Sequence, residues 1–181
     1  DALDALEAGG LQILVAGEVQ RGKTTLVNAL LEAPDLLPVG GVQPTRAHVT
    51  VVDGVRGRAH LRVPGRPPRQ MDSDELRSWM DTTEAVEQVC VEVEVEHDPP
   101  LVRSGLRIVD APGVSGLDAG VARITMAALS TTDALLFVVD AAAPLTRGEL
   151  SFLEAAADRT TTGLFALTRV DAFAHWREIL A

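Results

Sequence analysis

Tyrosine is absent from this 181-residue sequence, aromatic residues make up only 3% of it, and cysteine occurs once, as Cys90. A lone cysteine excludes an internal disulfide and suits a reducing compartment. Set in the valine run "VCVEVEVE", it reads as a buried thiol rather than a nucleophile. No stretch approaches 18 uninterrupted apolar residues, the length at which a spanning helix would be read. The first residues, "DALDALEAGGLQ", have neither a basic start nor an apolar run, so they do not read as a secretory signal. Positive charge is also short. The formal net charge is −10, which argues against nucleic acid as a main partner, because phosphate contacts need clustered lysine and arginine. The densest basic stretch, Arg56 to Gln70, is broken by proline and glycine and reads as a solvated hairpin and loop. Lysine is nearly missing: of 16 lysine and arginine residues only Lys23 is lysine. That bias, with abundant alanine, valine, leucine and glycine, carries the stamp of a GC-rich genome.

What is present fits one domain with a sizeable core: 46% hydrophobic and 23% charged residues. "LQILVAG" (Leu11–Gly17) is a short β-branched run ending in glycine. "TTLVNALLEA" follows as a helix, with Leu26, Ala29, Leu30 and Ala33 on one face. "AHVTVVDG" and "GRAHLRVPG" read as two strands around a turn near Gly54–Gly57, "PGRPPRQMD" as a loop and "SDELRSWM" as a helix. From Val89 to Glu96 valines alternate with glutamates, a strand with one wet face whose acidic row discourages edge pairing. "LRIVDAPG", "DALLFVVD" and "GLFALTRVD" end further strands, separated by helical patterns over Leu117–Leu129 and Thr146–Ala157, the latter with Leu150, Leu153 and Ala157 inward. Strands alternating with helices, the later strands apolar on both faces, predict a three-layer α/β domain with a mainly parallel sheet.

Lys23 lies in Gly17-x4-Gly22-Lys23-Thr24, the P-loop pattern, between a strand and a helix start. Such a loop wraps a phosphate chain in backbone N–H groups, at the end of a helix whose dipole favours anions. It also explains why one lysine persists. A compact ammonium fits inside a tight backbone cradle, where a planar guanidinium is too wide. "DAPG", Asp110 to Gly113, ends a strand and supplies a carboxylate for a Mg²⁺ shell and a glycine N–H for a γ-phosphate. "TRVD", Thr168 to Asp171, is a variant of the guanine pattern in which the aspartate accepts from base N1–H and the 2-amino group; Asp171 as a helix cap is the plain alternative. In "LLPVGGVQPTRAHVT", Thr45 is the candidate for a Mg²⁺-coordinating switch threonine, ahead of Thr50, which falls within a strand pattern.

Together "GEVQRGKTTLVNALL", "LLPVGGVQPTR", "DAPGVSGL" and "LTRVD" resemble the GTPase domain of bacterial dynamin-like proteins, from Leu11 to about Asp171. The resemblance implies a dynamin-type P-loop NTPase fold, mainly parallel with an antiparallel edge. Residues 1–181 would form one GTPase domain that stops after the guanine motif, without a helical stalk. It implies slow Mg²⁺-dependent GTP hydrolysis coupled to self-association and membrane remodelling. Gly17, Glu18, Val19, Gln20, Arg21, Gly22, Lys23, Thr24 and Thr25 would surround the phosphates. Thr24, Thr45 and Asp110 would hold Mg²⁺, Asp110 and Gly113 would serve the second switch, and Thr168, Arg169 and Asp171 the base. Lys23, Gln20, Arg21 and Thr45 are the catalytic candidates: Gln20 as a ligand for K⁺ or Na⁺, Arg21 as a built-in arginine finger. Val19 cannot orient water, and no glutamine closely follows Gly113, so intrinsic turnover should be slow. Expected partners are GTP and GDP, a homodimer or heterodimer across the nucleotide face, and membrane lipid through segments outside this chain. The expected location is cytoplasmic, peripheral at the inner face of the cell membrane. An Era- or MnmE-like RNA-related GTPase and a GTP-gated scaffold with little hydrolysis are the alternatives.

Overall fold

The computed structural model describes residues 10–39, 47–63, 65–80, 92–97, 99–114 and 119–179. Thr45 and Cys90 lie outside these residues. Strand β1 (Gln12–Ala16) runs through the glycine loop into α1 (Lys23–Leu30). Three strands follow, β2 (His48–Asp53), β3 (Arg58–Arg62) and β4 (Arg69–Asp72), then α2 (Ser73–Met80). The second half comprises β5 (Glu92–His97), the single turn α3 (Pro100–Arg103), β6 (Arg107–Asp110), α4 (Ala119–Leu129), β7 (Ala134–Asp140), α5 (Arg147–Ala157), β8 (Gly163–Thr168) and the short α6 (Trp176–Ile179).

Among the described residues eight strands form one sheet in the order β4-β3-β5-β2-β6-β1-β7-β8. β6, β1, β7 and β8 are mutually parallel, whereas β2 runs antiparallel to β6, and β3 antiparallel to both β5 and β4. The fold is therefore the expected three-layer α/β domain with an antiparallel edge. Period-2 alternation builds the layers. On β1, Leu14 and Ala16 face one core with Phe137, Leu129 and Phe152, while Val15 faces the other with Val27, Leu31, Ile108 and Val138. Leu76 and Trp79 bring α2 onto the second core. A parallel strand covered on both sides needs apolar residues at every position, which is why β7 reads as an unbroken apolar run.

Several sequence expectations are corrected. β2 and β3 do not pair with each other, because β5 inserts between them. The alternating strand is thus interior. Its register pairs Glu92, Glu94 and Glu96 with Arg62, His60 and Arg58 of β3, so the strand guards no edge. The Glu96 carboxylate lies 2.9 Å from His60 Nε2 and accepts from Val55 N at 3.2 Å. Residues 69–72, expected as loop, form β4. On α1 the side facing the sheet carries Lys23, Val27 and Leu31, leaving Ala29 and Leu30 exposed. On α5 it carries Glu149, Phe152 and Ala156, leaving Leu150 and Ala157 outward. An alanine- and leucine-rich helix offers more than one apolar stripe, and the sheet beneath chooses among them. Helix α6 starts only at Trp176, so Asp171 does not cap it.

Candidate functional site

Four parallel strands end on one side of the sheet, and the segments after β1, β6, β7 and β8 crowd there. This is the crevice outside the carboxyl ends of the strands, where open α/β sheets hold ligands. The segment after β1 is the glycine loop. Gly17, at φ 149°, has no room for a side chain: a Cβ would stand 2.4 Å from the Val138 carbonyl oxygen of β7. Gly22 ends the loop as the left-handed N-cap of α1 (φ 88°), a conformation that glycine adopts without strain. Lys23 Nζ donates to the Glu18 carbonyl at 2.9 Å, closing the loop on itself. This ammonium is almost wholly buried. Burial pulls its pKa down, opposed by the negative charges of Asp110, Glu149 and Glu18. An ammonium has three N–H donors, so with one on the Glu18 carbonyl it can also take a phosphate oxygen.

Beside it, Thr24 Oγ1 donates to Asp110 Oδ2 at 2.7 Å. Asp110 has no solvent exposure, and burial pushes its carboxyl up to about 6, against the Thr24 hydrogen bond and the Lys23 charge. Its other oxygen, Oδ1, is buried with no hydrogen-bond partner among the described residues. An orphaned carboxylate oxygen beside a hydroxyl suits a hard cation that takes oxygen ligands, so these two residues fit Mg²⁺. The following turn is hung from β1 and the glycine loop: Ala111 N donates to Val15 O at 3.1 Å and Val114 N to Gly17 O at 3.1 Å. Gly113 sits hard against the glycine loop. A Cβ there would lie 2.4 Å from Val19 Cγ2 and 2.7 Å from Val19 N. Gly113→Ala is therefore expected to push the two loops apart and lower stability by about 1–3 kcal/mol. Urea melts check this; a variant as stable as the parent would show that the contact is dispensable.

The last motif is strapped to the same loop. Thr168 Oγ1 lies 2.7 Å from the Arg21 carbonyl oxygen and 3.0 Å from that of Val139, able to donate to either. Arg169, at φ 57°, donates from Nη2 to Gln20 O at 2.9 Å and from Nη1 to Asp140 Oδ2 at 2.7 Å. Asp171 is exposed in the turn beyond, where Ala172 N bonds Arg169 O at 3.1 Å. Residues 17–24, Asp110, Gly113, Thr168 and Arg169 thus converge, Asp171 follows in the exposed turn, and Thr25 points outward on α1. Gln20 is exposed.

Arg21 departs from its expected role. Its guanidinium turns into the protein, forking onto Glu149 with Nε–Oε1 at 3.2 Å and Nη2–Oε2 at 3.0 Å. It also donates to the carbonyls of Pro144 (3.0 Å) and Ala143 (3.4 Å). So held, it does not present itself as an arginine finger. Glu149 and Asp140 are the site neighbours that the sequence reading missed. "TRGE" (Thr146–Glu149) carries a capping-box spacing that could have marked Glu149 as an N-terminal helix residue. Nothing local could have joined it to Arg21, 128 residues away.

The sequence model of the dynamin family matches residues 13–169. The isoniazid-induced protein IniA of Mycobacterium tuberculosis is 29% identical over 176 residues, 94% of this chain and 27% of that protein. A bacterial dynamin-like protein of Nostoc punctiforme is 31% identical over 163 residues, 82% of this chain and 23% of that one. The chain thus spans about a quarter of the length of these relatives. Among solved structures, a subunit of an oligomerised bacterial dynamin pair superposes with a TM-score of 0.77 at 17% identity, covering 99% of this chain and 36% of that one.

Proposed function

The chain belongs to the dynamin family, and from that premise we propose that it binds GTP and GDP and hydrolyses GTP in a Mg²⁺-dependent reaction. The observation that carries the reading is the trio of Lys23, Thr24 and Asp110, the lysine and the aspartate buried and one carboxylate oxygen unpartnered among the described residues, on a loop that Thr168 and Arg169 also hold. Lys23 and the amides of residues 18–24 would hold the phosphates, and Thr24 and Asp110, with Thr45, would hold Mg²⁺. A metal held there would supply positive charge that offsets the negative charge of the phosphates. Gly113 would meet the γ-phosphate with its N–H. The Arg169 stem, already braced against Gln20 and Asp140, would lie along the base, and Asp171 would accept from its N1–H and amino group.

Hydrolysis by this domain alone would be slow. Val19, packed on Gly113, offers nothing that orients water, and Arg21 is committed to Glu149. Self-association across the nucleotide face would complete the catalytic set, with Gln20 on the exposed side of the loop as a ligand for K⁺ or Na⁺. Coupling to membrane remodelling at the inner face of the cell membrane would rest on segments outside this chain. Among the described residues, no helix is long and apolar enough to cross a membrane. The Val19–Gly113 contact also favours a second reading, a GTP-gated scaffold that scarcely hydrolyses. Turnover of the full-length protein with and without liposomes separates the two.

Base choice is the direct test. Asp171→Asn is expected to lower GDP affinity by at least about tenfold and to raise that for xanthosine diphosphate, because the amide presents a donor where guanine needs an acceptor. Titration of both nucleotides decides; undiminished guanine affinity in the variant would overturn the assignment.

A further inference from the structure

We propose that Glu149 is a positioning residue for the phosphate-binding loop and acts through Arg21; this rests on the phosphate-binding reading above. Glu149 stands on α5, outside every recognised nucleotide motif, and is 1% exposed. Its carboxylate does two things at once. It completes the cap of α5, accepting from Thr146 N at 2.8 Å while Thr146 Oγ1 accepts from Glu149 N at 3.1 Å. It also takes the Arg21 fork, with Glu18 Oε2 a further 3.7 Å from the same guanidinium.

A helix cap needs only the first of these. The second fixes residue 21 from the side-chain end, while Thr168 fixes its carbonyl and Arg169 that of Gln20. In a planar trans peptide the next N–H points opposite to the carbonyl. Holding the Arg21 carbonyl against β8 therefore turns the Gly22 N–H to the other side. With side chain and carbonyl both anchored, the Arg21–Gly22 peptide loses its remaining freedom to rotate. The loop's amides are then oriented before any anion arrives, and the ordering cost is met during folding instead of on binding. Glu149 also neutralises Arg21, so that the loop offers Lys23 as its phosphate cation and no competing guanidinium.

A stability role alone is the competing account, and the energetics separate the two. Removing one partner of a buried pair leaves a lone buried charge and is strongly destabilising, whereas replacing both with neutral groups of similar size is close to neutral. The experiment compares the parent, Glu149→Gln, which keeps an acceptor for Thr146 N, and the double variant Arg21→Met/Glu149→Gln. Three quantities are read: melting temperature, GDP affinity by calorimetry with Mg²⁺, and amide hydrogen exchange over residues 17–24 without nucleotide. Glu149→Gln is expected to melt lower. The double variant is expected to regain the parent's melting temperature yet exchange faster over residues 17–24 and bind GDP at least tenfold more weakly. Recovery of parental exchange and affinity along with the melting temperature would overturn the proposal, leaving the pair as a stabilising contact. A parent that fails to bind GDP would sink the guanine-nucleotide reading, and the exchange measurement, which needs no nucleotide, would still judge Glu149.

Discussion

Lys23→Ala is expected to lower GDP and GTP affinity at least a hundredfold and to abolish turnover while the domain stays folded. A hundredfold is about 2.7 kcal/mol, the scale of one charge-assisted hydrogen bond to a buried partner. The fold should survive because the ammonium is costly where it sits: buried, with its pKa depressed by lost hydration and a single hydrogen bond to Glu18 O. Its removal costs that bond and relieves the burial of a charge. One consequence is local. Lys23 helps hold the Asp110 carboxyl down, so Asp110 becomes harder still to ionise in the variant. The sharper arm is Lys23→Arg. Fifteen other basic positions carry arginine, yet here the guanidinium has no room within the closed loop and the loss should match that of alanine. Affinity within threefold of the parent for Lys23→Arg would refute the argument from a compact cation.

Asp110→Asn is expected to separate stability from function, moving them in opposite directions. The folded carboxyl is raised from an ordinary 3.8 to about 6, mainly by burial. The folded protein therefore holds this proton to higher pH than the unfolded chain does. Stability falls as pH rises from 3.8 towards 6 and stays reduced above, by roughly 3 kcal/mol at neutral pH. The amide does not titrate. Between pH 5 and pH 7.5 the stability difference between variant and parent should therefore move in the variant's favour by on the order of 1 kcal/mol. With GDP and Mg²⁺ the order reverses: ligand raises the parent's stability by mass action, and the variant, lacking the anionic oxygen, gains little. Urea melts at both pH values, with and without nucleotide, provide the four measurements. A pH-independent difference would show that Asp110 titrates normally; equal stabilisation of both proteins by GDP and Mg²⁺ would remove it from the metal site.

Features encoded within short stretches of chain were legible before any coordinates. The alternation of Leu14, Val15 and Ala16, the apolar run of β7, the glycine pair around Lys23 and the strand-ending Asp110 each advertise a local backbone state, and the three-layer architecture follows from their order. Pairings across long separations were not legible. The glutamate row of β5 reads as an edge guard because alternation states only that one face is wet, not what lies opposite; Arg58 and His60 on β3 supply that answer through register. Likewise the apolar stripe on α1 could be drawn through Leu26 and Leu30 or through Val27 and Leu31, and only the sheet selects.

The sequence by itself determined the glycine loop around Lys23, the strand-ending Asp110 and the Thr168–Asp171 segment, and their order along the chain. Each is a property of a few neighbouring residues whose backbone preferences and spacing are local. Only the tertiary structure decided what those residues do with their side chains. It turned Arg21 inward onto Glu149, braced Arg169 on Asp140 and left one oxygen of Asp110 without a partner among the described residues. Each outcome depends on which groups are brought together from strands and helices far apart in the chain. Burial then sets the energy of each charge through its surroundings, and those surroundings exist only once the sheet has closed around them.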